Sequence, residues 1–211
     1  MESALDFADI VRSEAELRAV VGEPARRALD KQIDALDEHC RSIIARAPFV
    51  LIASSDREGR VDVSPKGDPA GFVQVLDERT LAIPERPGNR RADTFRNVLQ
   101  NPRVGLLFLV PGRLETLRVN GRARLVRDAS LLACMAVGGK APLLALVVSV
   151  EEAFVHCGKC MLRSHLWDSS SWSADAQLPS HARCLLDQAK PAQSLEELEA
   201  SVAQGYRTGL Y

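Results

Sequence analysis

A chain of 211 residues, 46% hydrophobic and 26% charged, can bury one sizeable core and is ordinary for a globular protein. Its 27 Lys and Arg against 28 Asp and Glu leave a net charge of −1, which excludes a global field drawing nucleic acid or anionic membrane. No apolar run nears the roughly 18 residues that span a bilayer, the opening MESALDFADIVRSEAELRA lacks the basic-then-apolar order of a secretion signal, and five scattered cysteines form no even disulfide framework, so a reducing cytoplasm is the expected setting.

In chain order, Ser13 and Glu16 are spaced as a capping box for a first helix that Gly22 and Pro24 end. Leu29, Ile33, Leu36, Cys40, Ile43 and Ile44 then recur at three and four, which predicts one longer helix closed by Pro48. From Phe49 the period becomes two. FVLIASS, a polar turn at Asp56–Gly59 and RVDVSPKG predict one hairpin, and GFVQV with TLAIP predicts a second. After a helix, VGLLFLV reads as a strand. In LETLRVNGRARLV, Leu117, Val119, Ala123 and Leu125 share one face, with Thr116, Arg118, Asn120, Arg122 and Arg124 on the other. A short helix near Leu131–Met135 leads to LLALVVSV, a last buried strand. KCMLRSHLWD reads as a short helix, SSSWSADAQLPS as a loop, and SLEELEASVAQ as a helix opened by Ser194 and Glu197.

Six or seven short antiparallel strands with few helices between them point to a mainly β barrel with flanking helices, which removes sheet edges. The expected organisation is a helical cover over 1–47, a barrel domain over 48–156, and a helical and loop extension over 157–211. A tail of that length after a complete sheet is expected to reach a neighbouring subunit.

The stretch IPERPGNRRADTFRNVLQNPRVGLLFLVPG carries the chemistry. Asn89, Arg90 and Arg91 stand where a Pro-Gly loop enters a helix. There, free N–H groups and the helix dipole favour an anion, and guanidinium adds bidentate bonds. Cations at a helix N-terminus otherwise oppose the dipole by about 0.3–1 kcal/mol. The plain alternative is two solvated arginines. Ser64, Lys66 and Gly67 end a strand broken by Pro65, and could equally be a solvated edge.

Four ordered segments, ASSDREGRVDVSPKGDPAGFV, IPERPGNRRAD, NPRVGLLFLVPG and ETLRVNGRARLV, followed by HCGKCMLRSHLWD, resemble the pyridoxamine 5′-phosphate oxidase-like FMN-binding flavoproteins over roughly Phe49–Asp168. The resemblance implies an antiparallel split β-barrel and a homodimer, with FMN at the subunit interface. It makes Asn89, Arg90 and Arg91 the phosphate anchor, with Ser64, Lys66 and Gly67 beside the flavin and Ile83 offering main-chain contact. Thr116 and Arg118 would face the partner's flavin, and Arg163 with Trp167, four apart on one presumed helix face, would approach it from the other subunit. No catalytic residue is implied, since the ring carries the hydride. The expected function is an FMN-dependent oxidoreductase acting on a small molecule. Its first alternative is a non-catalytic flavin or heme carrier on the same fold.

A second alternative is a zinc-stabilised interaction protein, because Cys157-x-x-Cys160 and His181-x-x-Cys184 are spaced for a Cys3His site. The flavoprotein element already accounts for Cys157, so no metal is expected. Cys40 and Cys134 lie on apolar stripes and read as buried small hydrophobes. No G-x-S-x-G, H-E-x-x-H, Walker loop or dinucleotide fingerprint occurs.

Overall fold

The computed structural model describes residues 7–172 and 178–211. The chain divides after Gln32 into two units. The first carries helices α1 (Glu14–Val21) and α2 (Arg26–Asp30). Ser13 caps α1 by accepting the Glu16 N–H, and Gly22 ends it at φ 75. Glu16 reaches back to the Arg12 N–H instead of that of Ser13, so the expected capping box is only half made.

The second unit holds helix α3 (Glu38–Ile44) and seven strands: β1 (Phe49–Ser55), β2 (Val61–Gly67), β3 (Gln74–Asp77), β4 (Thr80–Pro84), β5 (Arg103–Leu109), β6 (Thr116–Val126) and β7 (Ala145–His156). They form one antiparallel sheet in the order β2-β1-β5-β6-β7-β4-β3, the sheet of a split barrel. Period-two alternation puts Val50 and Ile52 of β1, Leu106 and Phe108 of β5, and Leu117 and Val119 of β6 in one core. Helix α4 (Asp93–Gln100) adds Phe95 and Val98, and α3 adds Cys40, Ile43 and Ile44. Helix α5 (Ala129–Cys134) covers a smaller cluster of Ala82, Ala145 and Val147 with Leu132.

The single helix expected from Leu29 to Ile44 does not form. Ile33 instead exchanges two main-chain bonds with Ala153 at 3.0 and 2.7 Å, and the Leu36 N–H donates to the Glu78 carbonyl at 2.6 Å. Asp37 then starts a new helix by accepting the Cys40 N–H. Sheet bonding and a capping carboxylate override the apolar period, which the extended segment satisfies by other means. The last strand runs on to His156, beyond the expected LLALVVSV.

The C-terminal segment forms α6 (Lys159–Ser164), α7 (His181–Ala189) and α8 (Leu195–Thr208). The Ser194–Glu197 capping box on α8 is complete, while α7 answers no element expected from the sequence. Of the expected loop SSSWSADAQLPS, Ser169–Ser171 make a 3-10 turn, and residues 173–177 lie outside the described residues. Helix α6 stops where His165 turns left-handed at φ 50, so Trp167 lies beyond it and does not share a helix face with Arg163. No helix among the described residues is long and apolar enough to cross a membrane.

Two positions yield predictions. In the bulge between Asn120 and Gly121 of β6, a Cβ on Gly121 would fall 2.1 Å from the Ser149 carbonyl oxygen. Gly121→Ala therefore has to move backbone and is expected to lower unfolding free energy by roughly 1–3 kcal/mol or more in urea titration. Cys40 is buried and its thiol is pushed up to about 12 by desolvation and the Asp37 carboxylate. Cys134, by contrast, is exposed, which corrects the expectation that it is buried, and Cys157 and Cys160 are exposed too. Iodoacetamide on the native protein is expected to label those three and spare Cys40 until denaturant is added, as read by peptide mass spectrometry.

Candidate functional site

Strand β2 is an edge strand whose two faces differ. Asp62, Ser64 and Lys66 are half-buried, whereas Val61, Val63 and Pro65 are exposed. Pairing of Ser64 with Ile52 and of Lys66 with Val50 turns the polar set to the core side of the sheet, next to the start of α4. A cleft of about 530 Å³ opens there, lined by Ser64, Lys66 and Gly67 on one side and by Asn89, Arg90 and Arg91 on the other. The structure thus gathers six of the sequence-derived residues from segments more than twenty positions apart.

The β4–α4 loop has an unusual backbone. Arg90 and Ala92 both lie in the left-handed region, at φ 61 and 55, a conformation costing non-glycine residues roughly 1–2 kcal/mol each. Asn89 Oδ1 accepts the Arg91 N–H at 3.0 Å and holds the turn. Ala92 is the helix N-cap and makes no side-chain cap bond, so α4 begins uncapped where Ala92, Asp93, Thr94 and Phe95 line the cleft. The two arginines stand just before the helix, outside its first turn.

Nearly every cation lining the cleft has an acidic partner. Lys66 Nζ pairs with Glu85 and lies 5.1 Å from the centre of the Phe95 ring. Arg86 donates to Asp68 at 2.6 Å, and the Asp68 side chain is only 2% exposed. Arg91 donates to Asp93 at 2.7 Å, and that hydrogen bond, followed by the Asp93 charge, raises the guanidinium further above its ordinary pKa. Among the described residues no carboxylate pairs with Arg90. Asp62 accepts from Ser64 Oγ at 2.8 Å and from Thr94 Oγ1 at 3.0 Å, fixing β2 to the helix start. Asp62 could have been found from the sequence, being two positions before Ser64 on the same face. The Lys66–Glu85 and Arg86–Asp68 pairings join distant segments and left no local signal.

Five expected residues lie outside this cleft. Ile83 is 1% exposed with its side chain in the core, and only the neighbouring Pro84 reaches the lining. Thr116 is buried at the start of β6. Arg118 lies on the outer sheet face, in one cross-strand row with Leu107, Leu51 and Pro65, its guanidinium 5.1 Å from the Phe154 ring centre. Arg163 is exposed on α6, and the Trp167 indole N–H donates to the Arg113 carbonyl at 2.8 Å. Cys157, Cys160, His181 and Cys184 do not assemble: among the described residues no three His, Cys, Asp or Glu side chains are grouped to hold a metal.

No curated protein matches the chain. Among solved structures it overlaps a putative pyridoxamine 5′-phosphate oxidase from Lactobacillus delbrueckii at 22% identity and TM-score 0.46, covering 58% of this chain and 95% of that one. It overlaps an FMN-binding protein from Syntrophomonas wolfei at 15% identity and TM-score 0.41, covering 55% and 86%. The heme storage protein HutZ from Vibrio cholerae overlaps at 16% identity and TM-score 0.41, covering 58% and 94%. The sequence model of the pyridoxamine 5′-phosphate oxidase family matches residues 36–157, more than half of the chain, from just before α3 to just after β7. On that match, the chain belongs to the pyridoxamine 5′-phosphate oxidase family.

Proposed function

We propose that the cleft holds the phosphate and ribityl chain of FMN, that two copies of the chain share the flavin between them, and that the protein is an FMN-dependent oxidoreductase acting on a small molecule. The observation that carries the reading is the junction at Arg90–Ala92. Two left-handed residues precede a helix whose N-cap makes no side-chain bond, and the Arg90 guanidinium there has no carboxylate partner among the described residues. A dianion suits each of these features: it accepts the free N–H groups, meets the positive end of the helix and takes a bidentate guanidinium.

Arg91 already holds Asp93, but with Arg91 73% exposed and Asp93 half-buried, a pair that solvent reaches contributes little net free energy. A dianion offers the guanidinium more charge than one carboxylate and a bidentate set of oxygens, so it can take Arg91 over from Asp93. On the opposite wall Lys66 would donate to the flavin's polar edge, and Ser64 Oγ, whose one proton goes to Asp62, would accept from it. Asp62 and Glu85 hold those two side chains in place. Ile83 has only its main chain to offer. When bound, FMN supplies hydride and one-electron transfer through its ring; the chain's residues bind it, orient it and exclude water from one side.

The dimer rests on the outer face of the sheet. Val61 and Val63 are 74% and 57% exposed on β2, next to half-buried Leu51 and Ala53 of β1 and Leu107 and Leu109 of β5. An aliphatic sheet face of this extent is what a second copy would cover. Arg118 lies on that face, which supports a role toward the partner's flavin. Arg163 and Trp167 also stand outside the cleft of their own chain, as residues of a shared site would, whereas Thr116 is buried.

Purified protein is expected to be yellow, with flavin bands near about 370 and 450 nm, and Arg91→Ala to bind FMN roughly 10- to 100-fold more weakly by fluorescence titration. Colourless protein that FMN does not restore, or unchanged affinity in Arg91→Ala, contradicts the anchor. Anaerobic bleaching of the flavin by NADH or NADPH supports an oxidoreductase, and a flavin that neither reduces supports a carrier. Val63→Glu is expected to halve the mass seen by light scattering, and an unchanged mass would remove the sheet face as the interface.

A further inference from the structure

The turn after β7 carries two cysteines that the flavin site does not use. Cys157, Gly158, Lys159 and Cys160 lead from His156, the last residue of the strand, into α6, and Cys157 and Cys160 are both exposed free thiols. Gly158 lies at φ −79 and ψ 7 and Lys159 is already helical, so a single turn of right-handed backbone joins the two cysteines. Such a turn sets residues three apart about 5–6 Å from Cα to Cα, inside the range of about 4.4–6.8 Å that a disulfide spans.

The turn is held on both sides. A Cβ on Gly158 would fall 2.5 Å from Leu114 Cβ and 3.1 Å from the Leu114 carbonyl carbon, so only glycine lets the turn lie this close to the β5–β6 loop. The Gly158 carbonyl accepts the Leu162 N–H at 3.0 Å, Met161 is buried, and the Trp167 indole is bonded to Arg113 of the same loop. With the backbone fixed in this way, little ordering is left for the two thiols when they join.

Structural uses of a C-x-x-C pair do not account for this one. A zinc knuckle needs two further ligands, and among the described residues no three metal-binding side chains are grouped. Cysteines that serve as small apolar packing are buried, as Cys40 is, and these two are not. Cys40, Cys134 and Cys184 stand singly on α3, α5 and α7. A reachable, preorganised pair of thiols is what thiol–disulfide exchange requires.

We propose that Cys157 and Cys160 form a redox-active dithiol that exchanges with small-molecule disulfides. One cysteine, as its thiolate, attacks a sulfur of the substrate disulfide, forming a mixed disulfide and expelling one substrate thiolate. The second cysteine's thiolate attacks the protein sulfur of that mixed disulfide, closing the Cys157–Cys160 bond and expelling the other substrate thiolate. The dithiol gives up two electrons and two protons, and one disulfide becomes two thiols. The site goes beyond the flavin reading and requires nothing of the cleft.

The test uses oxidised glutathione on the full chain as purified, first reduced with dithiothreitol and desalted without oxygen. Peptide mass spectrometry after acid quenching is expected to find a Cys157–Cys160 disulfide that outweighs glutathione adducts on those two residues by at least about tenfold, because a preorganised neighbouring thiol exceeds a free one in effective concentration. Cys134, exposed but single, is expected to keep glutathione as a lasting adduct. Cys157→Ser and Cys160→Ser each remove the internal bond, and at least one of them is expected to trap glutathione on the remaining cysteine of the pair. Both side chains are exposed, so thermal melts of the variants are expected to match the reduced parent. Lasting glutathione adducts on the pair in the parent chain overturn the proposal. So does a pair that stays reduced, a disulfide from either residue to Cys134 or Cys184, or an adduct trapped by neither variant.

Discussion

The start of α4 has no side-chain cap, and the local architecture turns on that constraint. A helix of this kind ordinarily begins with Ser, Thr, Asp or Asn, whose oxygen satisfies one of the free N–H groups. Here Ala92 occupies the position in a left-handed conformation, and Arg90 two residues earlier shares it. Asn89 spends its side chain on the Arg91 N–H and Thr94 gives its hydroxyl to Asp62. Side-chain bonds thus hold the loop while α4 itself begins without a side-chain cap. Strain of roughly 1–2 kcal/mol per left-handed residue is retained at this one loop.

The surrounding charges are arranged to tolerate either state of the cleft. Lys66, Arg86 and Arg91 each have a nearby carboxylate, so the apo protein does not concentrate unbalanced positive charge. The pairs differ in depth. Arg86 and Asp68 are almost wholly enclosed, and breaking them would leave a buried charge, so they serve as framework. Arg91 is exposed and Asp93 only half-buried, so that pair is exchangeable. This gradient distinguishes structural cations from the ones free to meet a ligand.

Much of this was legible in the sequence, and what was not has a common cause. Period-two alternation located β1, β5 and β6 correctly, because each has one face in the core. The Pro-Gly-Asn-Arg-Arg run located the loop–helix junction, because proline, glycine and asparagine each impose local geometry. The Leu29–Ile44 stripe misled, because an apolar residue looks the same in a helix as in a segment bonded to a sheet; only Asp37 hinted at the restart. Cys134 misled for the same reason, its spacing matching a stripe whose other members face α5's small cluster. Trp167 was placed on a helix that His165 ends by turning left-handed, which no local residue preference announced. The partners Glu85, Asp68 and Tyr211 are tertiary, joining residues as far apart as Tyr211 and Asp68.

Strand β2 links these themes. Its core-side face carries Asp62, Ser64 and Lys66 to the cleft, and its outer face carries Val61 and Val63 to the exposed sheet surface. One edge strand therefore serves both proposed interfaces, that with the cofactor and that with a second copy. The central claim is that recognition at this strand and loop is led by a phosphate, and it is tested most directly by comparing FMN with riboflavin on flavin-stripped protein. The account predicts that FMN binds at least about 100-fold more tightly, the equivalent of two charge-assisted bonds to the phosphate. Equal affinity for the two, or tighter binding of riboflavin, would contradict it.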